Sequence, residues 1–109
     1  MAASYKVLGQ VKPSASTLST AYTVPSSTEA VVSTIVVTNL GPTSTTYRIA
    51  IRPDGGAISQ EMYIAYDISI PTLDSLALTL GVTLNAGDII SVESYSGLVS
   101  FNIFGSEIA

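Results

Sequence analysis

Apolar and polar residues alternate with period two through almost the whole chain. From Thr46 to Arg52, Tyr47, Ile49 and Ile51 fall on one side, and Thr46, Arg48 and Arg52 on the other. A strand sends successive side chains to opposite faces, so the pattern specifies one buried face and one wet face. The same rhythm puts Met62, Ile64, Tyr66, Ile68 and Ile70 together, opposite Glu61, Tyr63, Ala65, Asp67 and Ser69. Leu76, Leu78, Leu80, Val82 and Leu84 follow it too. Leucine-rich sequence can be helical, but the spacing here is two, and the intervening Thr and Gly are poor helix formers.

Turn chemistry divides the alternation into short strands. Leu18–Val24 ends at Pro25-Ser26-Ser27, and Ala30–Asn39 ends at Gly41-Pro42. That second run is apolar on both sides through Val31, Val32, Ile35, Val36 and Val37. It reads as a central strand, or one covered at an interface. Pro53-Asp54-Gly55-Gly56, Pro71, Asn85-Ala86-Gly87-Asp88 and Ser94-Tyr95-Ser96-Gly97 close the strands over 47–52, 60–70, 76–84 and 89–93. Leu98–Ile103 closes the domain with Val99, Phe101 and Ile103 on one face. The tail from Phe104 to Ala109 stays apolar and is expected to pack. Seven or eight strands with no helix predict an all-β antiparallel sandwich of jelly-roll type. Residues 1–16 read as an extended N-terminal arm, cut off by Pro13 and Ser14-Ala15-Ser16, and 17–109 as one sandwich domain. Tyr5–Val11 can pair as a strand, reach a neighbour or fray.

At 109 residues the chain forms one domain with a modest core. Yet 47% of its residues are hydrophobic and only 11% are charged, well below the usual ~25%. So small a domain cannot hide that much apolar material alone, which predicts burial against other subunits. The 16 serines and 12 threonines fill the polar half of the strands, where β-branched Thr fits a pleated surface. The net charge is −4, and the four cations (Lys6, Lys12, Arg48, Arg52) form no basic stripe, so nucleic-acid binding is not expected. The absence of cysteine rules out a disulfide framework. The opening residues carry no signal-peptide run, and no apolar stretch approaches the ~20 residues of a membrane helix. A soluble protein made without a secretion signal is expected, with no membrane partner.

Chemical equipment is sparse. With no histidine, the commonest general base and the Ser-His-Asp triad are missing. A Ser-Lys pair would have to use Lys6 or Lys12 in the arm. Zinc held by His or Cys is excluded. Gly55-Gly56 lacks the Lys-Ser/Thr of a phosphate loop. Glu61 and Asp67 share a strand face but stand roughly 20 Å apart at ~3.3 Å per residue, against about 5–10 Å for glycosidase acids. Asp54 and Asp88 suit calcium or turn capping, and capping is the simpler role. Tyr63, Tyr66 and Tyr95 suit a sugar-stacking shelf, although Tyr66 reads as core and Tyr63 as a surface or interface aromatic. No catalytic residue, metal ligand or cofactor is assigned.

Several segments, in order, carry a family resemblance. They are Val7-Leu8-Gly9-Gln10, Ala21-Tyr22-Thr23-Val24-Pro25, Ala30 through Asn39, Arg48-Ile49-Ala50-Ile51-Arg52-Pro53, Tyr63-Ile64-Ala65-Tyr66-Asp67 and Phe104-Gly105-Ser106-Glu107-Ile108. In these the chain resembles small virion structural proteins of tailed bacteriophages, cyanobacterial phages included. The resemblance implies a non-enzymatic building block, made in the host cytoplasm and carried in the virion. The leading expectation is a capsid decoration or cement protein, a homo-oligomer, expected as a trimer, bound to the major capsid protein or other virion proteins. The alternatives are a tail, neck or baseplate accessory protein, or a glycan-binding host-attachment module. The residues expected at interfaces are Tyr5, Val7, Leu8 and Val11 in the arm, Tyr63, and Phe104 and Ile108 in the tail.

Overall fold

The computed structural model describes residues 3–109; Met1 and Ala2, the first residues of the expected arm, lie outside it. Eight strands form: β1 (Ala3–Val11), β2 (Ser19–Thr23), β3 (Glu29–Asn39), β4 (Thr45–Arg52), β5 (Tyr63–Ile70), β6 (Ser75–Leu84), β7 (Ile89–Ser94) and β8 (Val99–Ile108). They make two four-stranded antiparallel sheets, ordered β1-β8-β3-β6 and β2-β7-β4-β5. Only β4 and β5 are consecutive strands within one sheet. The chain resembles a long hairpin with its tip between β4 and β5, in which β3 meets β6, β2 meets β7 and β1 meets β8. Rolling that ribbon up gives a jelly roll, as the strand spacing predicts.

The inward faces fill the space between the sheets. Tyr47, Ile49, Ile70, Ile90 and Val92 from one sheet meet Val32, Ile35, Val37, Phe101 and Ile103 from the other, all essentially inaccessible to water. Tyr47 and Phe101 pack edge to face, ring centres 6.1 Å apart, the arrangement their quadrupoles favour. Asn39 secures one end of the sandwich. Its Nδ2 donates to the carbonyls of Thr43, Ile70 and Pro71, and its Oδ1 accepts from the Gly41 amide. One buried side chain therefore ties together the two loops that cross between sheets there.

Residues 3–11, expected as an arm set apart from the domain, are the edge strand of the first sheet. β1 pairs with β8 from Ala3↔Ile108 to Val11↔Phe101. The apolar tail beyond Ile103 is the reason. β8 continues through it to Ile108, and that extra length offers β1 a partner. Pro13 ends the strand without detaching it. The two sheets approach closely where β1 crosses β2, and Gly9 permits this: a Cβ there would collide with the Ala21 carbonyl. The contact is locked by charge, because Glu107 on β8 accepts from the Tyr22 hydroxyl of β2 at 2.6 Å and from Lys6 Nζ of β1 at 2.6 Å.

β5 also departs from expectation. The alternation of Met62 through Ile70 predicts one continuous inward face beginning at residue 60. Instead Gln60–Met62 form a 3₁₀ turn, and only Ile70 of that set is buried, while Ile64, Tyr66 and Ile68 are exposed. Asp67 takes a left-handed conformation, φ 52°, and the pairing with β4 slips between Tyr47 and Ile49 and again between Ile49 and Ala50. Each bulge reverses the phase of the side chains. Tyr66 therefore leaves the core and lies on the wet face.

Candidate functional site

Strand register sorts the seven expected interface residues into three groups. Val7 stands opposite Phe104, Tyr5 opposite Ser106 and Ala3 opposite Ile108. Alternation along β8 points Glu107, Gly105 and Ile103 inward, so Tyr5, Val7, Phe104 and Ile108 all face outward. Val31 joins them from β3, opposite Ser106. This outward corner of the first sheet is apolar where strand alternation ordinarily supplies polar side chains. Tyr5 is 86% exposed and Val7 47%. Leu8 and Val11 instead pack against the core. Leu8, next to outward Val7, faces inward by simple alternation, and the bulge between Val7 and Gly9 brings Val11 inward as well, opposite Phe101. Tyr63 lies on the other sheet, its ring edge-to-face with Tyr66 at 4.9 Å.

The edges of the first sheet differ in character. β1 carries a charge, Lys6, already paired with Glu107. β6 has ten residues with no charge and no proline, so it lacks two of the features that ordinarily blunt an edge, and keeps a third, a bulge. Its bulge, at Gly81 with φ 66°, leaves Leu80 exposed.

A polar groove of about 230 Å³ opens on the outward face of the second sheet. β4 supplies Thr46 and Arg48, β5 supplies Asp67, β7 supplies Glu93, and Ser16 and Tyr95 form the rim. Ser16 is held there by its amide, which donates to the Ser94 carbonyl at 2.7 Å. Arg48 organises the floor. Its Nε and Nη2 donate to the two Asp67 oxygens at 2.6 and 3.1 Å, and its guanidinium lies 4.0 Å above the Tyr66 ring. The Arg48 hydrogen bond holds the Asp67 carboxyl below its ordinary range, and the same contact pushes the Arg48 pKa up. Nη1 points toward Glu93, 4.0 Å from Oε1, too far for a direct hydrogen bond. The sequence offered Tyr63, Tyr66 and Tyr95 as a shelf. The structure pairs the first two and sets Tyr95 by the groove, where Arg48 and Asp67, both placed on wet strand faces by alternation, meet, and only Glu93 escaped sequence reading. Arg48 at an outward position of a strand was the available signal, but its partner on β5 depends on the bulge at Asp67.

Asp88 serves as a cap. Its Oδ1 accepts from the Asp54 amide at 2.8 Å and its Oδ2 from the Asn85 amide at 2.9 Å. Among the described residues no group of three or more His, Cys, Asp and Glu side chains is placed to hold a metal ion. No family model matches this chain, and neither a curated protein nor a solved structure matches it.

Proposed function

We propose that this chain is a non-enzymatic structural component of a tailed-phage particle, a capsid decoration protein that works by packing against copies of itself and against the capsid protein. The observation that carries the reading is the outward apolar corner of Tyr5, Val7, Val31, Phe104 and Ile108. Solvent-facing strand positions have no folding reason to be apolar, whereas an interface core does. The uncharged β6 edge supports the same reading, since a free strand of that kind is an aggregation hazard unless covered. Jelly rolls recur in viral shells and in lectins, so the fold by itself does not choose between them.

Deleting the N-terminal residues is a poor test, because β1 belongs to the sheet and its loss would strip β8. The outward positions are better. Tyr5→Ser together with Val7→Thr should preserve the fold, lower the sedimentation-derived mass at micromolar concentration, and reduce copy number on purified particles. Immunogold labelling of particles then separates head from tail. A wild-type chain that sediments as a monomer and fails to bind particles overturns the proposal.

A further inference from the structure

We propose that the groove on the outward face of the second sheet binds a neutral sugar ring, with Arg48 and Glu93 holding its hydroxyls and Tyr95 covering its C–H face. This is independent of the assembly role.

The groove holds unspent hydrogen-bonding capacity. Arg48 spends Nε and Nη2 on Asp67, but Nη1 has no hydrogen-bond acceptor among the described residues. Glu93 has its side chain only 20% exposed and accepts no side-chain hydrogen bond there. Its oxygens are not fully buried, so they remain open to a ligand donor. A single oxygen about 2.8 Å from both Arg48 Nη1 and Glu93 Oε1 would span their 4.0 Å separation at an angle of roughly 90°. A hydroxyl suits that position because it accepts from the guanidinium and donates to the carboxylate at once. Ser16 and Thr46 line the same space.

Other ligand classes fit less well. Two carboxylates, Asp67 and Glu93, repel a phosphate or an acidic sugar. Arg48 bonds the first and faces the second, which disfavours a metal cation. The volume of about 230 Å³ equals that of about eight waters, the scale of one sugar ring and not of an extended peptide. Tyr95 lines the groove and is 75% exposed, so its ring is accessible to stack on the C–H side of a pyranose. The backbone is also unusual here. Ser16 (φ 51°) and Asp67 (φ 52°), both non-glycine residues in the left-handed region, border this groove. Strain of that kind persists where the surroundings enforce it, commonly at binding sites.

The test is a titration of the ¹⁵N-labelled full chain with glucose, galactose, mannose and N-acetylglucosamine separately, and with N-acetylneuraminic acid as the charged counterpart. At least one neutral sugar should give saturable shifts at the amides of Thr46, Arg48, Asp67, Glu93 and Tyr95. Glu93→Gln and Tyr95→Ala should each weaken that binding about tenfold while leaving distant signals unmoved. Tyr95 sits in an exposed turn, so its variant remains informative if Glu93→Gln perturbs the fold. Absence of saturable shifts with all four neutral sugars overturns the proposal. So does binding of the acidic sugar alone, or binding unaffected by Tyr95→Ala.

Discussion

Tyr22→Phe removes one hydroxyl and tests how the two sheets are joined. That hydroxyl donates to Glu107 Oε2 at 2.6 Å, while Lys6 Nζ holds Oε1 at 2.6 Å. The three residues lie on β2, β8 and β1, so the carboxylate is the meeting point of both sheets and the edge strand. A hydrogen bond to a charged group contributes about 1.5–3 kcal/mol. Glu107 keeps Lys6 in the variant and its side chain is partly reached by water, so the low end applies, about 1.5 kcal/mol. For a domain of this size the loss lowers Tm by roughly 5–10 °C. The pH dependence adds a second criterion. Lys6, and then Tyr22, hold the Glu107 carboxyl below its ordinary range. A depressed carboxyl stabilises the fold fully above its unfolded pKa, and the contribution disappears as pH falls through the folded value. Burial, and then Glu107, push the Tyr22 pKa up, so its proton remains in place from acid through neutral pH. The gap between wild type and Tyr22→Phe should therefore be widest near neutral pH and shrink in acid. Thermal unfolding followed by circular dichroism at pH 7 and pH 3 reads both effects. Equal Tm values at pH 7, or a gap that widens as pH falls, would refute this account of the sheet junction.

Phe101→Ala should cost about 3–5 kcal/mol, read as a lower urea midpoint, because Phe101 is fully buried against Tyr47 and the cavity cannot collapse. Thr45→Val should be neutral or stabilise by up to about 1 kcal/mol in the same assay, since the buried Thr45 hydroxyl has no hydrogen-bond partner among the described residues. Leu80→Lys should change stability by less than about 0.5 kcal/mol, yet suppress self-association in light scattering, because it places a charge on the otherwise uncharged β6 edge.

Period two was a sound guide wherever a strand keeps one phase along its length. Tyr47, Ile49 and Val99, Phe101, Ile103 are inward as alternation requires. Proline and glycine turns located most connections, and the short intervals between them led to a sandwich of seven or eight strands. Alternation cannot foresee a bulge, because a single inserted residue reverses every side chain beyond it. Val11 and Tyr66 were misplaced for that reason.

Local chemistry along the chain was enough for the fold class and the central position of β3. The pairing of β1 with β8, the outward gathering of Tyr5, Val7, Phe104 and Ile108, and the meeting of Arg48 with Asp67 and Glu93 came only from the folded chain. Side-chain alternation is a property of neighbouring residues. Register between strands separated by nearly the whole length is set by how two sheets close over one core, and no short window of sequence contains that information.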